Sequence, residues 1–226
     1  GTGTTTLTGA NSYSGTTTIS AGTLSVGAAG TVGTLGTGAV VNNGTLLISR
    51  SDAAFTVANS TSGTGALTKS NAGTNTVLTL TGTNSFSGTT TITEGTLQVG
   101  AGGTTGTLGT GGVVTTGGTL AFNRSDALTV ESVISGTGAV TKLGAGTTSL
   151  TGANTYSGTT TISAGTLSIG AGGTAGTLGT GAVANSGTLA FNRSDATTVA
   201  NVNSGTGAMT QVGTGKAIAV HSPILF

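Results

Sequence analysis

The stretch "TGANSYSGTTTISAGTLSVG", residues 8–27, decides the fold because the chain contains it three times. It returns as "TGTNSFSGTTTITEGTLQVG" at 81–100 and as "TGANTYSGTTTISAGTLSIG" at 151–170. The three copies are therefore almost evenly spaced along the chain. A nearly fixed long period is typical of repeat proteins, in which each unit buries its apolar residues against its neighbours.

We therefore divide the chain into three repeat units of one continuous solenoid domain. Unit 1 comprises residues 1–80, unit 2 residues 81–150 and unit 3 residues 151–215. The last segment, 216–226, "KAIAVHSPILF", departs from the Gly-Thr pattern and contains the single Pro and the single His of the chain. We expect this tail to act as a cap or as a junction with another chain.

A shorter period runs inside each unit. The pattern Gly-[Thr/Ala]-[Leu/Val/Met] recurs mostly at steps of about 20 residues, which is the size of one coil of a β-solenoid. Two longer steps, from Gly65 to Gly95 and from Gly138 to Gly165, contain the T-G-x-N-x-[YF]-S-G segment, which we interpret as a loop or bulged corner added once per unit. Nine or ten coils at about 4.8 Å each predict a rod about 45 Å long. The apolar residues of the pattern are predicted to form one interior column: Leu24, Leu46, Leu67, Leu97, Leu120, Val140, Leu167, Leu189 and Met209.

Composition supports an all-β fold. The 226 residues include 44 Gly, 5% charged and 3% aromatic residues, and no Trp, so an ordinary core of large side chains cannot form. Thr and the β-branched residues favour strands, and Gly permits the positive φ of tight corners. Low charge and positive mean hydropathy argue against a disordered chain.

Charge and cysteine content exclude several classes of partner. A net charge of +1 gives no electrostatic basis for binding nucleic acid or an anionic membrane surface. No apolar run approaches the roughly 18 residues of a membrane span. The absence of Cys fits an exported protein and excludes thiolate metal sites. The chain starts at Gly1 without a methionine or signal peptide, which indicates a processed or excised segment.

The repeated words resemble a known family. The run "LAFNRSDALTVESVISGTGAVTKLGAGTTSLTGANTYSGTTTISAGTLSIG", residues 120–170, is similar to the autotransporter-associated β-strand repeat of Gram-negative passenger regions. The resemblance rests on the N-R-S-D turn, the S-G-T-G-A-[VLM]-T-[KQ] strand and the T-G-A-N-[ST]-Y-S-G corner, and it extends over nearly the whole chain. It implies a right-handed parallel β-helix that is exported and displayed at, or shed from, the cell surface. It implies a scaffold rather than an enzyme.

The three Arg-Ser-Asp motifs are the densest polar clusters of the chain and the first candidates for a catalytic or binding site. They pair Arg50 with Asp52, Arg124 with Asp126, and Arg193 with Asp195. With three coils per unit, equivalent carboxylates should lie about 14 Å apart along the axis. Glycoside hydrolysis needs two carboxyl groups about 5 to 9.5 Å apart, so these residues cannot form an acid–base pair with one another. We interpret each cluster as a solvated turn and keep a weak binding subsite per unit as the alternative.

The other candidates are weaker still. Tyr13, Phe86 and Tyr156 recur once per unit, and we expect them to pack over their coils, with a weak ligand platform as the alternative. His221 has no acid nearby in sequence, so a catalytic triad is not expected. The "G-x-G" words have no helix pattern after them and "AGGTTGTLG" has no Asp, so we expect no phosphate loop, no metal and no cofactor.

These observations predict a non-enzymatic extracellular structural protein, a β-helical stalk or fibre that self-associates into filaments. The alternative is an adhesin passenger that binds a host surface or glycan, although the chain lacks the long irregular insertions that such binding uses. Thr triplets at 16–18, 89–91 and 159–161 leave an ice-binding solenoid as a remote third possibility. The expected location is the outer surface or surroundings of a Gram-negative bacterium.

Overall fold

The computed structural model describes residues 1–70 and 76–219, and within them the chain forms 25 short strands and no helix. In chain order these are β1 (Thr4–Leu7), β2 (Thr17–Ile19), β3 (Thr23–Gly30), β4 (Val40–Asn42), β5 (Thr45–Arg50), β6 (Ala54–Val57), β7 (Thr61–Ser62), β8 (Ala66–Lys69), β9 (Val77–Leu80), β10 (Thr90–Ile92), β11 (Thr96–Val99), β12 (Val113–Thr115), β13 (Thr119–Phe122), β14 (Leu128–Val130), β15 (Ile134–Gly136), β16 (Ala139–Lys142), β17 (Thr147–Leu150), β18 (Thr160–Ile162), β19 (Thr166–Ile169), β20 (Val183–Asn185), β21 (Thr188–Phe191), β22 (Thr197–Val199), β23 (Asn203–Ser204), β24 (Ala208–Gln211) and β25 (Ala217–Ala219). Thr, Val, Ile and Leu dominate the strands, as their preference for a pleated surface predicts.

The strands stack in parallel, each pairing with the turn before or after it. Paired residues lie about one turn apart in sequence, as Thr4 with Thr23 and Leu67 with Thr90 do. Followed from β1 to β25, the chain makes about ten turns of a β-solenoid. The predicted all-β parallel solenoid is therefore confirmed. The right hand of the coil, which the family resemblance implies, stays a prediction.

Each turn of the solenoid has three faces. Face 1 is the seven-stranded sheet from β1 to β15, and face 2 is the eight-stranded sheet from β6 to β23. Face 3 holds the three-stranded sheet β2-β4-β7 and, further along the axis, the five-stranded sheet from β14 to β24. The pair β22-β25 continues face 1, because β22 follows β21 on face 3 and precedes β23 on face 2.

One repeat unit advances by three turns and one further face. The equivalent strands β3, β11 and β19 lie on faces 1, 2 and 3 respectively. From β3, three turns along face 1 lead through β5 and β8 to β10, and the next face of that same turn is β11. Successive units are thus rotated by about a third of a turn, and three units complete ten turns.

This rotation corrects our interpretation of the T-G-x-N segment as an added loop. Residues 81–88 occupy an ordinary place on face 3, where the amides of Thr81 and Ser85 donate to the carbonyls of Val57 and Thr61 at 3.1 and 2.8 Å. The two longer steps in the sequence arise because the Gly-Thr-Leu pattern moves to the next face. No residues are added to the coil.

The rotation also divides the predicted interior column into three. Register pairs place these residues in separate columns on faces 1, 2 and 3: Leu24, Leu46 and Leu67; Leu97, Leu120 and Val140; Leu167, Leu189 and Met209. Seven of the nine are buried. Leu24 is half-buried and Met209 is 44% exposed, because these two lie near the ends of the described stack.

Part of the predicted tail continues the solenoid. Ala217–Ala219 form β25 and pair with Thr197–Val199 of β22. Residues 220–226, including His221, lie outside the described residues.

Candidate functional site

Each Arg-Ser-Asp cluster forms a bidentate ion pair, which we call a brace. In unit 2, Arg124 Nε donates to Asp126 Oδ1 at 2.8 Å and Nη2 donates to Oδ2 at 2.6 Å. The corresponding distances are both 2.9 Å between Arg50 and Asp52, and 2.8 and 2.6 Å between Arg193 and Asp195. The parallel bonds fix the guanidinium plane and leave Nη1 to reach elsewhere.

The remaining nitrogen of each arginine bonds to the preceding turn. Arg124 Nη1 donates to the carbonyl of Gly106 at 2.7 Å, and Arg50 and Arg193 donate in the same way to Gly33 and Gly176. The three arginine side chains are only 8 to 12% exposed, whereas their aspartates are 24 to 40% exposed. The clusters are therefore not the solvated turns that the sequence led us to expect. They are largely buried links between turns.

The arginines also affect the carboxylates. In all three units the hydrogen bond from the arginine holds the pKa of the aspartate below its usual value. A charged hydrogen bond to the ionised form has this effect, whereas partial burial opposes it. The aspartates are thus held as anions by a structural partner, which makes them poor proton donors near neutral pH.

The three braces lie at three different corners of the solenoid. Arg50 ends β5 on face 1, Arg124 follows β13 on face 2, and Arg193 follows β21 on face 3. Because each unit is rotated by one face, equivalent side chains do not form a row along one side of the rod. The alternative of one binding subsite per unit along a common surface has no support from this arrangement.

The recurring aromatic residues pack inside the turns. Phe86 and Tyr156 are 1% and 0% exposed, so neither can serve as a surface platform. Each ring lies against a glycine of the next turn: a Cβ on Gly179 would come within 2.5 Å of the Tyr156 ring. The Tyr156 hydroxyl lies 2.8 Å from Thr160 Oγ1, and burial raises its pKa. Tyr13, in the first turn, is 41% exposed.

The asparagine of T-G-x-N ties three turns together, a role that our sequence analysis missed. Asn154 Oδ1 accepts from the amide of Ile134 at 2.8 Å in the turn before, and Nδ2 donates to the carbonyl of Thr177 at 2.7 Å in the turn after. Asn84 makes the equivalent bonds with Thr61 and Thr107, at 3.0 and 2.7 Å. The signal was present in the sequence, because this asparagine recurs in every copy of the motif.

Comparison with known families identifies the repeat. A family model described as passenger-associated-transport-repeat matches residues 1–26, 67–99 and 140–169, which is less than half of the chain in total. The first match lies at the start of unit 1, and the other two each run from the end of one unit into the next. Each of the three matched segments is similar to a passenger-associated-transport repeat. This confirms the resemblance that the repeated words indicated. Comparisons with curated proteins and with solved structures find no significant match.

The second and third passenger-associated-transport repeats each begin near a buried lysine. Lys69 and Lys142 are 1% and 0% exposed and point into the solenoid. Lys69 Nζ donates to Thr76 Oγ1 at 3.2 Å and to the carbonyl of Glu94 at 2.9 Å, and Lys142 Nζ donates to the carbonyl of Gly144. Burial lowers the pKa of Lys69 to about 8 and also lowers that of Lys142.

Unit 3 has Gln211 at this position, where Nε2 donates to the carbonyls of Gly213 and Gly215 at 2.9 and 2.8 Å. The position therefore requires a long donor rather than a charge. We infer that the lysines are internal hydrogen-bond donors for the turn carbonyls.

A metal site would need several His, Asp or Glu side chains close together. Residues 1–70 and 76–219 contain no group of three or more His, Asp or Glu side chains that could hold a metal ion. Nor does that part of the chain contain a helix long and apolar enough to span a membrane. The repeated arginines, aspartates and asparagines thus have structural partners in the solenoid itself.

Proposed function

We propose that the chain is a non-enzymatic, rod-forming segment of an extracellular passenger at the outer surface of a Gram-negative bacterium. The observation that carries the proposal is the continuous stack of about ten turns with a buried core that extends from Ile19 to Val199. The three passenger-associated-transport repeats support export as a passenger. Such a stack adds about 4.8 Å of length with every turn, a geometry suited to spacing and stiffness.

The stiffness of the rod has a physical basis in three kinds of link between turns. Backbone ladders run along each face, apolar columns fill the interior, and the braces and asparagines tie neighbouring turns where strands are absent. Each turn alone buries little surface, so stability arises from the contacts between turns. A rod of this kind resists bending because bending must break these links in register.

Absence of catalysis is part of the proposal. All three repeated aspartates are bound by arginines, and they lie at three different corners. The buried lysines donate to carbonyls inside the solenoid. Each of these groups has a structural partner that accounts for its presence.

Self-association is the finer part of the proposal. At one end of the described stack the residues of β1 are almost all exposed, and at the other end all four residues of β24 are exposed, including Met209. Exposed strand edges pair readily with further strands. Because three units complete ten turns, one copy stacked on another would continue the same three faces in phase.

The remaining functions have weaker support. Burial of Phe86 and Tyr156 removes two of the three recurring aromatic residues that the sequence offered as a ligand platform. The Thr triplets contribute to β2, β10 and β18, which lie on faces 3, 1 and 2, so they do not form one flat array of the kind that orders ice.

Two experiments test the proposal. Small-angle scattering of the purified chain should give an elongated particle about 45 Å long; a compact, near-spherical particle would contradict the rod. Sedimentation at high concentration, with and without residues 216–226, tests self-association: we expect larger species that diminish when the tail is removed. A monomer in both samples would refute the filament and leave the rod intact.

A further inference from the structure

The backbone ladder is interrupted once in every unit, always at the same place. Strands β6, β14 and β22 are the last strands of their sheets and pair only with the following turn. Below them lie the Gly-Thr-Leu-Gly-Thr segments of the preceding turn. Within the described residues, no backbone hydrogen bond joins segment 104–111 to β14. One edge of each of these strands is therefore unpaired.

At each interruption, side-chain hydrogen bonds join the two turns at both ends of the unpaired strand. Between these two hydrogen bonds the strand and the preceding turn are not bonded to each other within the described chain. At one end the brace arginine donates to the preceding turn, as Arg124 does to Gly106. At the other end a short polar side chain does so: Ser132 Oγ donates to the carbonyl of Gly109 at 3.2 Å, and Asn201 Nδ2 donates to that of Gly179 at 2.7 Å. The bridges keep the two turns together where their backbones do not pair.

The opening between the bridges is a groove in all three units. The groove volumes are about 340, 250 and 380 Å³ in units 1, 2 and 3. Equivalent residues form each groove: the leucine of Gly-Thr-Leu-Gly-Thr and a valine form the apolar floor, and threonines form the rim. In unit 2 these are Leu108, Val130 and Thr129. Recurrence in three units with one lining indicates a built feature of the repeat.

The main chain adds polar groups to each groove. In unit 2 the carbonyl of Val130 accepts from the amide of Thr151 in the following turn, at 2.9 Å. Because alternate residues of a parallel strand bond to opposite sides, the N–H and C=O of Thr129 are directed towards the groove. Thr56 and Thr198 hold the equivalent positions in the other units.

The largest of the three grooves also has an unsatisfied hydroxyl beside it. Thr197 borders the groove of unit 3, and its Oγ1 is buried without a hydrogen-bond partner among the described residues. Phe55 and Leu128 occupy this position in units 1 and 2. A buried hydroxyl without a partner is unfavourable, so a ligand that draws this hydroxyl into the groove and gives it a partner would be bound more tightly there.

We propose that the three grooves are equivalent binding sites for a neutral sugar ring. An apolar floor with hydroxyl and amide groups at its rim matches a ring that has apolar faces and peripheral hydroxyls. The only charged residue in the grooves of the described chain is Glu131 in unit 2, and the nearby Arg124 is occupied by Asp126 and Gly106. Anionic ligands are therefore disfavoured.

Size and edge length favour a monosaccharide over a peptide. Volumes of 250 to 380 Å³ lie near the lower end of the range for drug-sized ligands. Strand addition of a peptide needs a row of main-chain groups, whereas the short strand β14 directs one residue, Thr129, towards its groove. This inference is independent of whether the rod self-associates.

The test is an amide chemical-shift titration of the ¹⁵N-labelled chain with the methyl glycosides of glucose, galactose and mannose and with N-acetylglucosamine. We expect the amides of Thr56, Thr129 and Thr198 to shift in a saturable way with at least one of these sugars, most tightly for Thr198. No saturable shift at any of the three amides would overturn the proposal. A larger response at the same amides to glucuronic acid, or to an acetylated Thr-Ala-Thr amide peptide, would also overturn it.

A single isosteric substitution examines the unit 3 groove. Thr197→Val removes the unpartnered hydroxyl, so we expect about fivefold to tenfold weaker sugar binding at Thr198 with unchanged responses at Thr56 and Thr129. Thr188→Val, on β21 outside the grooves, is the matched control and should leave all three responses unchanged. Equal sugar binding by Thr197→Val and the wild type would contradict the assignment of this groove. Should Thr197→Val disturb the fold, Thr198→Trp, at an exposed rim position, should block the same groove.

Discussion

Replacing the asparagine of T-G-x-N by alanine should have very different effects at the centre and at the start of the stack. Asn154 is 5% exposed and bonds to the turn before and the turn after through Ile134 and Thr177. Asn154→Ala leaves the buried amide of Ile134 and the partly buried carbonyl of Thr177 without their partners. Each unsatisfied group costs about 1 to 3 kcal/mol, so we expect a loss of about 3 kcal/mol.

Asn11→Ala is the internal control for this substitution. Asn11 donates to the carbonyl of Thr34 at 2.7 Å, as its counterparts do, and to that of Gly9 at 3.2 Å, but in the described chain no donor reaches its Oδ1. Because the bond to Gly9 is long and exposed, the variant should lose about 1 kcal/mol, the net value of one ordinary hydrogen bond. The two substitutions are chemically identical and occur in the same motif, so the difference between them reports the bond to the preceding turn together with the deeper burial of Asn154.

Thermal unfolding and hydrogen exchange measure the two expectations. For a chain of this length about 1 kcal/mol corresponds to about 2 to 4 °C, so Asn154→Ala should lower Tm by about 6 to 12 °C and Asn11→Ala by about 2 to 4 °C. Because stacked repeats open locally, exchange of the Ile134 amide should accelerate by about 100-fold in Asn154→Ala. Equal Tm losses in the two variants, or unchanged protection of Ile134, would refute the three-turn role of the asparagine.

Four further predictions, one with a matched control, test other contacts. Leu120→Asp places an unpaired charge in a fully buried position and should cost several kcal/mol in thermal unfolding; a variant that melts like the wild type would show that this column is not interior. Arg124→Ala should lower the free energy of unfolding in urea by about 2 to 3 kcal/mol, because charged hydrogen bonds to Asp126 and Gly106 are lost. A loss below about 1 kcal/mol would favour the interpretation of this cluster as a solvated turn. Gly109→Ala should destabilise the fold because its Cβ would lie 2.3 Å from a backbone oxygen, whereas Gly103→Ala, with open space around it, should leave Tm nearly unchanged; similar shifts would contradict the close contact. Burial lowers the pKa of Lys69 from 10.5 to about 8, so between these pH values the folded state binds fewer protons than the unfolded state. The free energy of unfolding contributed at this site should therefore rise from about pH 8 to about pH 10.5. Lys69→Gln should lack this rise when Tm is measured against pH, and identical profiles for the variant and the wild type would exclude a buried ammonium.

The solenoid was predictable from the sequence because its motifs recur at a nearly fixed spacing. Strand composition, the short step of the Gly-Thr-Leu pattern and the three copies of the T-G-x-N motif each specified stacked parallel strands. The rotation between units was not predictable by the same reasoning. The longer step from Gly65 to Gly95 is compatible with a loop inserted into the coil and equally with a shift of the pattern to the next face. Only the strand register distinguishes these two interpretations. Leu67 pairs with Thr90 on face 1, whereas Leu97 lies on face 2 and pairs with Leu78.

The candidate site illustrates a different limit of sequence analysis. The spacing of Arg124 and Asp126 indicated that the two residues satisfy each other, and they do. Burial of the arginine depends on Gly106, 18 positions earlier, whose carbonyl the guanidinium reaches across the interrupted ladder. Asn154 was likewise visible as a recurring letter, but its value lies in two partners about one turn away on either side. Contacts between turns depend on which face of the solenoid each residue occupies. From the sequence we assigned equivalent residues of the three units to one face, whereas the structure places them on three.

The advance of three turns and one face per unit has a consequence for how such a protein can change in length. Duplication or deletion of one unit by recombination would turn every residue beyond that point by about a third of a revolution about the axis, while shifting it by about 16 Å, at about 4.8 Å per turn. Anything attached further along would then face another direction. Gain or loss of three units would change only the reach and preserve the orientation. Inherited variation in copy number of this repeat is thus a rotary change as well as a linear one, and lineages in which orientation matters should vary their copy number in threes.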